Sequence, residues 1–149
     1  MQVAANNPKV HFLIVGSGDL ADSLKAQLSK INSQASFLGW RSDVENILSA
    51  TDILLLTSDN EGTPISAIQA GMTGIPTVST NVGSVSEVIK DGISGVLTSL
   101  DVSEIVNAVQ SLISDPALRS RLGENAKVDM NKRHGVVRLV NDYQKLYLA

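Results

Sequence analysis

Glu61 stands where a predicted buried strand gives way to a helix, and its surroundings could bind both a phosphate and hydroxyl groups. The apolar residues 52–57 predict the strand, and apolar residues at helical spacing after Pro64 predict the helix. Thr63 and Pro64 are typical of a helix start, with Thr63 as N-cap. The N–H groups of Ile65 and its neighbour then lie unpaired at the positive end of the helix dipole, which favours phosphate. A carboxylate beside phosphate needs another role, and accepting hydrogen bonds from hydroxyls would suit a nucleotide sugar.

Gln69 follows Glu61 by eight residues and lies on the same predicted helix. It neighbours an apolar stripe formed by Ile65, Ile68 and Met72. Its amide is therefore predicted either to be satisfied inside the core or to bind a pair of ligand hydroxyls.

A glycine-rich turn follows the first predicted strand and loosely matches the dinucleotide-binding pattern G-x-G-x-x-A, from Gly16 to Ala21. That pattern also needs an acid after the second strand, where the chain instead has Gly39 and Trp40. Asp19, directly after the glycines, would repel a pyrophosphate. These observations favour a tight turn, or a backbone role beside a sugar, over an NAD-dependent oxidoreductase.

The second predicted strand ends at Gly39-Trp40-Arg41, which allows two interpretations. Backbone groups could read the edge of a nucleobase while Trp40 or Arg41 stacks on it. Alternatively, the stretch is a helix start with an exposed arginine.

Composition excludes several classes of protein. The chain has 149 residues, 43% of them hydrophobic but only 3% aromatic, which predicts one domain with an aliphatic core. A net charge of −3 argues against nucleic-acid binding. There is no cysteine, and His11 and His134 are too far apart in sequence to suggest a metal site. His11 is predicted to pack within a strand and His134 to lie at a solvated helix end. No apolar stretch approaches the ~20 residues of a membrane span, so a cytoplasmic location is expected.

Short strands alternate with helices as far as Leu97, and only helical patterns follow. This order predicts an α/β fold, with a doubly wound, mainly parallel Rossmann-like sheet covered on both faces and a helical C-terminal tail. Residues 1–149 are predicted to form a single domain. The first nine residues are predicted to be polar and to contain a turn. Helix caps are predicted at Ser84 (a capping box with Glu87), Asp101 and Asp115. Ligands of such folds bind at the carboxyl ends of the strands.

Taken jointly, these stretches resemble the donor-binding C-terminal domain of family 4 glycosyltransferases, whose GT-B fold has two facing Rossmann-like domains. The resemblance runs from about residue 10 to the end and is carried by residues 12–18, 37–44, 50–57, 61–76, 81–89 and 91–95.

The resemblance implies a retaining, metal-independent transfer of a sugar from a nucleotide sugar, without a cofactor. The family's E-x7-E motif falls on Glu61 and Gln69, with Glu61 as the catalytic-site residue that holds sugar hydroxyls. The residues implied to bind the donor sugar and phosphates are Gly16, Gly62, Thr63, Pro64 and Ile65. Those implied to bind the nucleotide are Gly39, Trp40, Arg41 and Gln69.

Two departures from the family pattern shape the expected function. The motif has glutamate where this chain has Gln69, and an amide oxygen is a weaker hydroxyl acceptor than a carboxylate. No strand precedes Val10, whereas the family's domain begins with another strand and helix that carry an Arg and a Lys. The chain is therefore expected to be a fragment without its N-terminal acceptor domain, inactive alone and able to self-associate through an open sheet edge. The alternative is a non-catalytic nucleotide-binding or interaction module of the same fold.

Overall fold

The computed structural model describes residues 2–29 and 34–148, which divide between two compact units, Met1–Val44 and Glu45–Ala149. The single domain over residues 1–149 stays a prediction. The elements are α1 (Gln2–Asn6), β1 (His11–Val15), α2 (Ala21–Ser29), β2 (Gln34–Gly39), α3 (Val44–Ser49), β3 (Leu54–Leu56), α4 (Ile65–Thr73), β4 (Thr77–Thr80), α5 (Val85–Val88), β5 (Gly95–Thr98), α6 (Val102–Ser114), α7 (Pro116–His134) and α8 (Val136–Tyr147).

In the first unit, β1 pairs in parallel with β2, and the register shifts between Ile14 and Val15. Side chains along β1 alternate between half-buried and exposed, with Leu13 and Val15 on the exposed side. The prediction that this strand is buried on both faces is wrong, because no described residue covers that side. The chain start contains a helix that the sequence did not predict, Gln2–Asn6, and the Asn7 side chain donates to the Val3 carbonyl at its end. The predicted turn follows it, with the Val10 N–H donating to the Asn7 carbonyl at 3.0 Å.

In the second unit, β3, β4 and β5 form a parallel sheet with β4 in the centre. All four β4 residues are buried, although three of them carry hydroxyl groups. Two of these hydroxyls have identified acceptors: Ser79 Oγ donates to the Thr80 carbonyl at 3.1 Å, and Thr80 Oγ1 donates to the Ser58 carbonyl at 2.7 Å. The predicted parallel pairing is confirmed. The five strands form two sheets, with two strands in the first unit and three in the second.

Helix α4 packs closely on α7, which fixes the orientation of α4 in the second unit. A Cβ on Gly123 of α7 would lie 2.0 Å from the Gly74 carbonyl oxygen, and a Cβ on Gly71 would lie 2.5 Å from Met130 Cγ. Gly74 ends α4 in the left-handed conformation, with φ of 87°. Ala67 and Ile68 of α4 join Met130 in the core cluster behind this contact.

The C-terminal part of the chain is entirely helical, as predicted. Asp101 caps α6 by accepting from the N–H groups of Ser103 and Glu104, and the Ser103 hydroxyl together with these N–H groups lowers the Asp101 pKa. Asp115 caps α7 by accepting from the Leu118 N–H at 2.9 Å. Ser84 is the N-cap of α5, as predicted, but the capping box is not formed, because the Ser84 side chain accepts from no N–H group of α5.

The last helix, α8, is strongly amphipathic but leaves its apolar face open. In α8, which is described along its whole length, no side chain is fully buried. Tyr143 and Tyr147 stack on each other with ring centroids 6.1 Å apart. Within the described ranges, no helix is long and apolar enough to cross a membrane.

Candidate functional site

The loop between β3 and α4 holds the Glu61 carboxylate in a defined place. Ser58 Oγ donates to Glu61 Oε1 at 2.6 Å, and the Glu61 side chain is half-buried. The Ser58 carbonyl in turn accepts from the buried Thr80 hydroxyl at 2.7 Å. The Glu61 carboxylate is thus connected through Ser58 to the central strand of the sheet.

The backbone of Glu61 is held by the loop that follows β4. The Ser84 N–H donates to the Glu61 carbonyl at 3.4 Å. Gly83 approaches so closely that an added Cβ would lie 1.8 Å from the Glu61 carbonyl oxygen. Gly83 also has φ of 54°, a conformation that residues with a side chain rarely adopt. Only glycine fits this contact.

The start of α4 differs from the prediction by one residue. Pro64 is the N-cap, because its ψ of 96° is extended and helical geometry begins at Ile65. The Pro64 carbonyl accepts from the N–H groups of Ala67 and Ile68. The prediction of Thr63 as N-cap is therefore wrong. Ile65 and the residue after it are the first two helical residues, whose N–H groups have no partner within a helix.

The residues around this helix start are accessible. Gly62 and Thr63 are exposed, and the Ile65 side chain is 62% exposed. Gln69 is also exposed, because the buried face of α4 is formed by Ala67, Ile68, Ala70 and Gly71. The interpretation of Gln69 as a core residue is wrong, because its side chain is open to solvent.

In the first unit, the structure joins Gly16 to Gly39. The Gly16 N–H donates to the Gly39 carbonyl at 2.8 Å, and both residues have positive φ. Trp40 is 76% exposed, which leaves its ring free for stacking. Arg41 is bound to Asp43 by two hydrogen bonds of 2.7 and 2.6 Å, which raise the Arg41 pKa. The Arg41 guanidinium is therefore already engaged by a carboxylate.

The predicted site residues fall into two groups, one in each compact unit. The first unit carries Gly16, Gly39, Trp40 and Arg41. The second unit brings together Glu61, Gly62, Thr63, Pro64, Ile65 and Gln69, on the β3–α4 loop and α4.

Both histidines differ from their predicted environments. His11 is exposed, and its Nε2 lies 2.9 Å from Ser36 Oγ on β2. His134 ends α7, and its Nε2 is buried without a hydrogen-bond partner in the described part of the chain. Burial, helped by Arg133 and Arg138, lowers the His134 pKa. Across residues 2–29 and 34–148, no group of three or more His, Asp or Glu residues is placed to hold a metal ion.

Sequence reasoning missed two residues that hold the Glu61 loop and one that holds the end of α5. Ser58, Thr80 and Arg133 drew no functional prediction. Arg133 donates to the carbonyls of Glu87 and Val88 at the end of α5 and forms an ion pair with Asp129. For Ser58, a hydroxyl three residues before a candidate carboxylate is a local signal. The hydrogen bonds from Thr80 to Ser58 and from Arg133 to Glu87 and Val88 join residues 22 or more positions apart and leave no local signal.

Comparison with known proteins identifies the family. The sequence model of "Glycosyl transferases group 1" matches residues 1–129. The chain belongs to the group 1 glycosyltransferases. It is 30% identical over 145 residues to the Escherichia coli UDP-Gal:alpha-D-GlcNAc-diphosphoundecaprenol alpha-1,3-galactosyltransferase, covering 95% of this chain and 37% of that protein. It is 29% identical over 139 residues to the Bacillus anthracis N-acetyl-alpha-D-glucosaminyl L-malate synthase, covering 91% and 36%. The chain thus spans just over a third of these relatives.

Two solved structures share this fold. Anabaena Alr3699/HepE, solved in complex with UDP and glucose, superposes with a TM-score of 0.88 at 23% identity, over 99% of this chain and 43% of that one. The C-terminal domain of the group 1 protein LpcC from Francisella tularensis has a TM-score of 0.75 at 23% identity, over 89% and 75%. The predicted α/β fold and the resemblance to a glycosyltransferase donor domain are confirmed.

Proposed function

We propose that this chain is the nucleotide-sugar-binding part of a retaining, metal-independent group 1 glycosyltransferase, with Glu61 contacting the donor sugar. The observation that carries the proposal is the Glu61 carboxylate, which Ser58 holds by Oε1 four residues before the exposed start of α4. A carboxylate has two oxygens, so Oε2 remains to accept hydrogen bonds from sugar hydroxyls. The E. coli relative, named for transfer from UDP-Gal, supports a nucleotide sugar as donor.

The start of α4 is proposed to bind the donor diphosphate. The N–H groups of Ile65 and its neighbour, together with the helix dipole, stabilise negative charge at this place. Charge grows on the diphosphate as its bond to the sugar breaks, so this stabilisation increases towards the transition state. In a retaining transfer, the new bond to the acceptor hydroxyl forms on the face of the sugar that the diphosphate leaves. Gly62, Thr63 and Pro64 shape the loop that approaches the phosphates.

Nucleotide-binding groups are proposed in each unit taken by itself: Gln69 in the second unit, and the glycine-lined turns in the first. Gln69 is exposed on α4, in the family's motif position for a ribose ligand. Gly16 and Gly39 offer backbone groups, and the exposed Trp40 offers a ring for stacking. Arg41, already bound to Asp43, is proposed to contribute the edge or plane of its guanidinium.

The acceptor site is proposed to lie in a further domain of a longer, cytoplasmic protein, because this chain spans 37% of its E. coli relative. On this proposal the isolated chain binds nucleotide sugar weakly and transfers no sugar. Turnover assays of the isolated chain with UDP-, GDP- and ADP-sugars test the second statement, and robust transfer would contradict it.

Calorimetric titration of the chain with UDP, GDP and ADP and their sugar conjugates tests the proposal. Glu61→Gln should weaken binding of the nucleotide sugar about tenfold, because a charge-assisted hydrogen bond is lost. It should change binding of the bare nucleotide by less than about twofold. Glu124→Gln, an exposed substitution on α7 with the same change of charge, is the matched control. Nucleotide-sugar binding that is unchanged in Glu61→Gln would refute the role of Glu61.

A further inference from the structure

We propose that Ser58 and Thr80 are positioning residues that fix the Glu61 carboxylate, and so determine how strongly the site prefers a nucleotide sugar over the bare nucleotide. This inference rests on the proposed function for its ligand. Its structural part, that the two hydroxyls hold Glu61 in one conformation, can be tested without any ligand.

The inner end of the arrangement is Thr80, the last residue of the central strand β4. Thr80 is 1% exposed, and its Oγ1 donates to the Ser58 carbonyl at 2.7 Å. A valine would fill nearly the same volume but would leave that carbonyl without this donor. The buried hydroxyl therefore ties the start of the β3–α4 loop to the sheet.

The outer end is the Ser58 side chain, whose Oγ donates to Glu61 Oε1 at 2.6 Å. This distance is typical of a strong hydrogen bond from a hydroxyl to a charged carboxylate. It selects one orientation of the carboxylate and leaves Oε2 as the oxygen presented to a ligand.

The backbone of Glu61 is restrained independently, by contacts from the loop after β4. The Ser84 N–H donates to its carbonyl, and Gly83 packs against the same oxygen. With the main chain held there, the hydrogen bond from the Ser58 hydroxyl orders the flexible end of the glutamate. A side chain that is already ordered loses less freedom when a ligand binds.

The ordered carboxylate strengthens binding of the sugar part of the ligand and leaves binding of the nucleotide part unchanged. Hydroxyls of the sugar bind the carboxylate, whereas a bare nucleotide does not need it. Loss of the Ser58 hydroxyl should therefore reduce the preference for nucleotide sugar while leaving nucleotide affinity in place. If the Ser58 hydroxyl only supported the fold, its loss would weaken binding of the nucleotide sugar and of the nucleotide by the same factor.

The binding test compares Ser58→Ala with the wild-type chain by calorimetry. We expect the nucleotide-sugar Kd to rise about threefold to tenfold and the nucleotide Kd to change by less than about twofold. Thr80→Val should act in the same direction, and Ser58→Thr, which keeps the hydroxyl, should restore binding. Ser120→Ala, at an exposed position of α7, is the matched control.

The ligand-free test measures three-bond NMR couplings that report the side-chain rotamer of Glu61. The wild-type chain should show one dominant rotamer, and Ser58→Ala should show averaging. Unchanged couplings in Ser58→Ala would overturn the inference, whatever the chain binds. If Glu61→Gln weakens nucleotide-sugar binding but Ser58→Ala does not, the inference fails while the proposed function stands. If the wild-type chain binds no nucleotide sugar, the proposed function fails and the preference assigned to Ser58 fails with it.

Discussion

Gly83 packs directly on the main chain of Glu61, so that a Cβ added to Gly83 would lie 1.8 Å from the Glu61 carbonyl oxygen. This contact joins the loop after β3 to the loop after β4. It places no demand on the Glu61 side chain, but it determines where the backbone that carries this side chain can run. The position of the carboxylate thus depends on a residue 22 positions away in sequence.

Gly83→Ala should therefore displace the loop that carries Glu61. We expect the free energy of unfolding to fall by about 2 kcal/mol or more, from the left-handed backbone conformation and from the overlap with Glu61. Nucleotide-sugar binding should weaken as well. Chemical denaturation and calorimetric titration measure the two effects.

Gly92→Ala is the matched control for this substitution. Gly92 also has a positive φ, of 68°, but an added Cβ would meet no atom within 4 Å. Gly92→Ala should lower the free energy of unfolding by about 1 kcal/mol, because only the left-handed backbone conformation is unfavourable for alanine there. Equal losses in the two variants would show that the contact with Glu61 is unimportant.

Gln69→Glu should tighten nucleotide binding about fivefold, because a carboxylate accepts the ribose hydroxyls more strongly than an amide oxygen does. Gln69 is exposed, so the substitution buries no charge. Calorimetry with UDP, GDP and ADP measures the change. Gln144→Glu on α8, also exposed, adds the same charge away from α4 and should have no effect. Weaker binding in Gln69→Glu would refute a ribose role.

Arg133→Met should destabilise the second unit by about 2 kcal/mol, because it removes the donor for two carbonyls at the end of α5. Arg133 donates to the carbonyls of Glu87 and Val88 at 2.6 and 2.7 Å and pairs with Asp129. Urea denaturation measures the loss. Lys90→Met is the control, since Lys90 is half-exposed and pairs with the same Asp129. An ion pair whose lysine is half-exposed contributes about 0.2–1 kcal/mol, so equal losses in the two variants would contradict the assigned role.

His134 should make the chain less stable as pH falls below 6.5, its ordinary pKa. Burial lowers the His134 pKa in the folded state, so the unfolded state binds the proton more readily and acid favours unfolding. Urea denaturation at several pH values should show this slope, and His134→Gln should reduce it. A slope that persists in His134→Gln would exclude this histidine as its source.

The sequence predicted most of the elements, because their signals are local. The apolar run before Glu61, the glycine after α4 and the carboxylates that cap α6 and α7 each act within a few residues. The helix start was misplaced by one residue because Pro64 is compatible with both the N-cap and the first helical position, and its ψ decides between them.

The contacts that hold the candidate site could not be predicted from the sequence. The hydrogen bond from Thr80 to Ser58 and the approach of Gly83 to Glu61 arise only when β3 and β4 lie side by side. Likewise, the exposure of Gln69 depends on which face of α4 packs on α7. Residue type suggested the chemistry of these positions, while strand and helix packing decided their neighbours.

The buried Thr80 hydroxyl has a consequence for protein engineering. Transplanting residues 58–65 into another Rossmann-like scaffold would transfer the Glu61 carboxylate. It would leave behind the Thr80 hydroxyl that anchors the loop and the glycine, Gly83, that packs on the Glu61 backbone. A graft that also brings Thr80 and Gly83 would reproduce the loop conformation. The smallest transferable unit is therefore two adjacent parallel strands with the loops that follow them.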